Sequence, residues 1–182
     1  MKIHIETNRI LLRDIELEDA EAIFEMDADP EVHTYLGKSP IQHIDQAIAY
    51  IQFVRQQYLD YGIGRWAIVD KETNGFAGWG GLKFRTDEVN GHTNFYDVGY
   101  RLLKRYWGKG LATESAKASL KYAFETKGLD AVYAMAHVEN LASRNALLKS
   151  GLEITSRVEE NGILCDWFEI KRSDYLDRVG KV

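Results

Sequence analysis

The chain of 182 residues has one cysteine, two prolines and a deficit of positive charge. A single cysteine, Cys165, cannot close an internal disulfide or build a cysteine-rich metal site, and it reads as a small buried hydrophobe in a strand. With so little proline and no low-complexity tract, the sequence is neither a collagen-like repeat nor a mucin-like stalk nor a disordered tail. No apolar run approaches the ~20 residues that cross a bilayer, and the opening MKIHIETNRI lacks a secretory apolar stretch, so a cytoplasmic protein with no membrane partner is expected. Lys plus Arg number 23 against 28 Asp plus Glu, a formal net charge of −5. That balance argues against a nucleic-acid partner and favours a small or positively charged one. His4, His33, His43 and His92 share no metal-ligand spacing, and no metal is expected.

What is present is enough for one core: 45% hydrophobic residues in a length that suits a single domain spanning 1–182. Arg9 to Ile15 reads as a strand, and Leu17 to Ala28 as a helix with Leu17, Ala20, Ile23 and Phe24 at helical spacing. A second helix is expected over His43 to Tyr61, ended by Gly62 and Gly64. Strand patterns follow at Arg65 to Val69, Phe76 to Phe84 and Thr93 to Leu102, joined through Asn74-Gly75 and Asn90-Gly91. Asn-Gly favours hairpins because both residues tolerate positive φ. The remainder alternates: helix Leu111 to Phe124, strand Ala131 to Val138, helix Leu141 to Lys149, then strands Glu153 to Val158 and Leu164 to Ile170 around Asn161-Gly162. The order indicates one mixed α/β domain.

The most informative segment is Asp97 to Glu114, DVGYRLLKRYWGKGLATE: strand, turn with Gly108 and Gly110, helix. Glycines there let backbone approach a ligand, and the amides of a helix start attract phosphate. The Walker spacing is absent, since Leu103 stands where its first glycine belongs, and no G-x-G-x-x-G follows the first strand.

Arg105-Tyr106-Trp107-Gly108-Lys109-Gly110-Leu111-Ala112 resembles the R/Q-x-x-G-x-G/A coenzyme A motif of the GNAT N-acetyltransferases. Asn140-Leu141-Ala142-Ser143, followed by Lys149-Ser150-Gly151-Leu152, is similar to the branch containing the ribosomal-protein alanine acetyltransferases. TNRILLRDIELEDAEAIFEM and GWGGL at Gly78 to Leu82 fit the same branch, and the resemblance covers about Thr7 to Tyr175. It implies a central, mostly antiparallel sheet of about seven strands, flanked by helices and splayed between the fourth and fifth strands, with acetyl-CoA as co-substrate. The resemblance implies cofactor contacts from Arg101, Leu102, Leu103, Arg105, Tyr106, Trp107, Gly108, Lys109, Gly110, Ala112 and Thr113, with Asn140 and Ser143 at the mouth of the splay. Arg144 and Lys149 are further phosphate candidates or, equally, solvated charges.

Acetyl transfer needs a base for the amine, a donor to the thioester oxygen and stabilisation of the leaving sulfur. Asp97 stands where many family members carry a carboxylate base; the competing reading is a strand-end aspartate. A backbone amide near Leu102 or Leu103 is the expected oxyanion donor. Many relatives use a tyrosine in the last helix for the sulfur, and Leu147 stands in that place here. Ser143 is the substitute the branch suggests, its alternative being a helix-start serine that caps backbone donors. His137 is a second possible base or an ordinary partly buried histidine. The acidic group Asp27, Asp29 and Glu31 either attracts an amine or is a solvated loop, and Tyr35, Trp66, Trp79, Phe95 and Trp167 line a pocket or pack the core. The acceptor is a primary amine, a protein N terminus or a small molecule. A non-catalytic acyl-CoA binding module is the rival reading, and a homodimer is possible.

Overall fold

The computed structural model describes residues 2–180, so Met1 and residues 181–182 of the expected 1–182 domain lie outside the described residues. Eight strands, β1 (Ile3–Glu6), β2 (Ile10–Arg13), β3 (Trp66–Asp70), β4 (Gly75–Arg85), β5 (Phe95–Leu102), β6 (Ala131–His137), β7 (Glu153–Glu160) and β8 (Ile163–Lys171), form one sheet. Their order is β1-β2-β3-β4-β5-β6-β8-β7. Every pairing is antiparallel except β5 with β6. Among the described residues five α-helices flank it: α1 (Ala20–Ala28), α2 (Ile44–Tyr61), α3 (Leu111–Lys121), α4 (Leu141–Lys149) and α5 (Arg172–Val179).

The count corrects the expected seven strands. The added strand, β1, is a four-residue edge piece with no fully buried side chain, too short to show a period of its own. α5 is a further addition: it spans eight residues, fully buries none of them and packs on the core through Tyr175, too little apolar surface to read from the sequence. Leu17–Asp19 is a 3-10 turn leading into α1, and α3 gives way after Lys121 to a π-turn over Tyr122–Thr126.

Central strands are buried on both faces, and alternation assigns the sides. Ala67 joins the cluster of α1 and α2 with Ile23, Ile51 and Val54. Its neighbour Ile68 joins the cluster of α3, with Ala116, Leu120 and Phe124. Close approach of α3 depends on Gly80, where a Cβ would lie 2.3 Å from Ser115 Oγ. At the far end, Asn161 and Gly162 take φ of 52° and 77° in the two-residue loop between β7 and β8, the left-handed pair that a tight hairpin requires.

Candidate functional site

β5 is bonded to β4 from Phe95 to Leu102, yet shares with β6 a single ladder pair, Asp97 with Tyr133. Beyond that pair the two parallel strands part. These are the segments expected to splay, the fifth and sixth strands once β1 is counted. The parting leaves the β6-facing side of Val98 to Leu102 without a strand partner, an edge able to bond an extended ligand arm as a further strand would. A cleft of about 940 Å³ runs from the glycine turn through this opening to Asp97, with Tyr35 and Leu36 in its outer wall.

The turn is built from below. Leu103 donates its amide to Ala77 O at 3.0 Å, Trp107 Nε1 donates to Leu102 O at 2.9 Å, and Tyr106 is buried with its hydroxyl 3.3 Å from Thr73 Oγ1. Gly108 and Gly110 then take φ of 71° and 79°, and no side chain caps the first amides of α3. A Cβ at Gly108 would meet nothing within 4 Å, so the space in front of this backbone is open. Open amides at a helix start, backed by its dipole, fit a diphosphate.

Two residues that sequence reasoning missed brace this turn. Arg9 donates to Lys109 O at 2.8 Å and to Glu114 Oε2 at 2.6 Å, and Thr7 Oγ1 donates to Glu114 Oε1 at 2.6 Å. Burial pushes the Glu114 carboxyl up, but the hydrogen bonds from Thr7 and Arg9 outweigh it and hold the group below the usual glutamate range. Partners a hundred positions apart leave no local signature.

Of the expected coenzyme contacts, the cleft brings together Arg101, Leu102, Tyr106, Trp107, Gly108, Gly110, Ala112, Thr113, Asn140 and Ser143. Leu103, Arg105 and Lys109 do not line it. Leu103 is buried and its amide is already committed to Ala77, Arg105 pairs with Glu25, and Lys109 Nζ lies over the Tyr106 ring. The Arg101 side chain lies on the face of β5 that carries Asp97, and its guanidinium meets Asp27 at 2.8 Å. Of the acidic cluster, Asp27 pairs with Arg101 and Glu31 with Lys104, while Asp29 Oδ1 accepts the Glu31 amide at 2.8 Å. Arg144 is likewise paired, with Asp166, whereas Lys149 lines the cleft.

At the end of the cleft away from the glycine turn Asp97 is buried against Arg65. The guanidinium donates to Asp97 Oδ1 at 2.5 Å and to the carbonyls of Gly81 and Asp97 at 2.5 and 3.1 Å. Arg65 and Arg101 both stand over the Trp79 ring, 5.5 and 5.1 Å from its centroid. Trp79 and Tyr35 line the cleft, while Trp66, Phe95 and Trp167 are core. His137 lines it too, but its Nδ1 accepts the Glu139 amide at 3.0 Å. The neutral ring then carries its proton on Nε2 and offers no free lone pair to an amine.

Asn140 Oδ1 accepts the Ser143 amide at 3.1 Å and so caps α4 itself, which frees the Ser143 hydroxyl from that task. The hydroxyl lies 3.2 Å from Tyr100 Oη, and Tyr100 also donates to Ser143 O at 2.8 Å. Burial pushes the Tyr100 phenol up to about 12, so it keeps its proton at neutral pH. One turn along α4, Leu147 is buried and also lines the cleft. Among the described residues no group of three His, Cys, Asp or Glu is placed to hold a metal ion, and no helix is long and apolar enough to cross a membrane.

A family model described as an acetyltransferase (GNAT) domain matches residues 9–153. The chain is 34% identical over 137 residues to an uncharacterized N-acetyltransferase, p20, of Bacillus licheniformis, covering 75% of each chain. It is 32% identical over 149 residues to another, YoaA of Bacillus subtilis, covering 82% of each. The fold is similar to that of a GNAT-family acetyltransferase from Bordetella pertussis at a TM-score of 0.78 and 21% identity, covering 93% of this chain and 99% of that one.

Proposed function

The chain belongs to the GNAT acetyltransferase family, and from that premise we propose that it moves the acetyl group of acetyl-CoA to a primary amine by direct attack. One observation carries the reading: a single cleft is lined by the open glycine turn, the unpaired edge of β5, Ser143 and Asp97. The bound co-substrate supplies an acetyl thioester, whose carbon–sulfur bond breaks as a carbon–nitrogen bond forms. The amides at Gly108 to Thr113 hold the diphosphate, and the free edge of Val98 to Leu102 aligns the arm. Asp97 takes the proton of the attacking amine through a water, and Ser143 donates a hydrogen bond to the departing sulfur. With its amide committed to Ala77, Leu103 is not the oxyanion donor, which leaves that task to a cleft-facing amide of β5.

The acceptor enters beside Trp79, Tyr35 and the Arg65–Asp97 pair, a wall suited to a small amine or to an extended peptide N terminus. Dependence on acetyl-CoA fits a cytoplasmic protein, and nothing in this chemistry requires a second subunit. The test is incubation of the protein with acetyl-CoA and a panel of polyamines, amino sugars and peptide N termini, reading thiol release and product mass. Thiol release matched by acetylated amine is expected. Tight coenzyme binding without turnover across the panel would instead make the chain an acyl-CoA binding module.

A further inference from the structure

The sulfur-facing end of the cleft holds an arrangement that the family motif does not contain. Ser143 and Leu147 stand one turn apart on α4 and both line the cleft, beside Ala142, Asn145, Ala146 and Lys149 of the same helix, and Ser143 carries the one hydroxyl among these six. A serine on a helix has several staggered positions for its hydroxyl, and most of them point away from any given ligand atom. Asn140 has already taken the capping duty, so nothing within α4 selects among them. The selection comes from the sheet. Val98, Tyr100 and Leu102 share a face of β5, and the Tyr100 phenol reaches α4 to meet both oxygens of Ser143, the carbonyl at 2.8 Å and Oγ at 3.2 Å.

We propose that Tyr100 is the positioning residue for Ser143. It anchors the first turn of α4 through the carbonyl and fixes the hydroxyl on the cleft side, where Ser143 donates to the leaving sulfur. The inference rests on the reading of Ser143 given above. The phenol has one proton and spends it on the Ser143 carbonyl, so toward Oγ it offers a lone pair. In the resting site the serine proton points to the phenol oxygen. When negative charge develops on sulfur, a rotation about the Cβ–Oγ bond redirects that proton, and the helix turn stays in place. No proton leaves the phenol, and the thiolate receives a hydrogen bond alone. Where many relatives bring a hydroxyl from the helix, this chain brings one from the strand and works it through serine.

Tyr100→Phe removes only the hydroxyl and keeps the ring that packs against the core. With acetyl-CoA and the best amine of the panel, a fall in kcat of about three- to tenfold is expected, the range of one neutral hydrogen bond, with KM for acetyl-CoA unchanged. In a Ser143→Ala background the same change has no further effect, because its intermediary is gone. Ser143→Thr, which keeps a hydroxyl, restores the sensitivity to Tyr100→Phe. Independent, multiplicative effects of Tyr100→Phe and Ser143→Ala overturn the proposal, as does a rise in KM at constant kcat. A parental rate for Ser143→Ala removes the underlying reading of Ser143. A slow Ser143→Ala beside an unaffected Tyr100→Phe removes the role of Tyr100 alone. Melting curves for each variant confirm that the comparison is between folded proteins.

Discussion

Asp97→Asn separates chemistry from structure at the Asp97 end of the cleft, because in the proposed reaction the same carboxylate serves both. As the base it is worth about 10²–10⁴ in rate, or roughly 3–5 kcal/mol of activation free energy. As the partner of Arg65 it neutralises a guanidinium whose side chain is 10% exposed, its own being 12% exposed. Removing one member of such a pair costs about 3–5 kcal/mol. Here the lower end applies, since Arg65 keeps the carbonyls of Gly81 and residue 97 and asparagine keeps an acceptor oxygen. A loss of about 3 kcal/mol is within the 5–15 kcal/mol that holds most domains folded. The melting midpoint should therefore fall by about 6–12 °C in a chain of this size, with the protein still native at room temperature. Turnover is then measured at saturating acetyl-CoA, well below the lowered midpoint. Expected are a fall in kcat of at least about a hundredfold and an unchanged KM for acetyl-CoA, whose diphosphate is proposed to bind at the other end of the cleft. The deficit should narrow as pH rises toward the amine's own value near ~10, because an amine already deprotonated needs no base. A folded Asp97→Asn variant within about threefold of the parent at every pH would refute the reasoning and leave Asp97 as a structural partner of Arg65.

Two further outcomes probe the glycine turn. Gly108→Val forces a β-branched residue into φ of 71° and places its side chain in the open space before the amides. Calorimetric binding of coenzyme A should weaken at least about fivefold for a cost of about 1–3 kcal/mol, and an unchanged Kd would show that the diphosphate lies elsewhere. Glu114 is depressed in the folded protein, so its contribution to stability is complete above the ordinary glutamate value near ~4.3 and is lost as pH falls through the folded value. Denaturation midpoints of the parent should decline across that acid window, and those of Glu114→Gln should decline less. Equal slopes would dismiss the clamp of Thr7, Arg9 and Glu114 as an acid-sensitive brace.

Local chemistry was legible wherever neighbours in sequence are also neighbours in space. The Asn-Gly hairpin of Asn161 and Gly162, the long amphipathic α2 and the glycine turn at Gly108 and Gly110 all follow from backbone freedom and apolar spacing. The short β1 and the polar α5 carry no such signal, because each takes its conformation from what it docks against. By itself, then, the amino-acid order determined a mixed α/β domain, its glycine turn and the strand and helix that bear Asp97 and Ser143. Only the tertiary structure decided how those residues are employed. It sets Arg65 on Asp97, turns Arg101 to Asp27, closes Leu103 against Ala77, and brings Tyr100 to Ser143 across 43 positions of chain. Spacing along a strand or helix specifies which way a side chain points. What it meets there depends on segments joined by packing and charge, and those pairings exist only once the sheet has assembled.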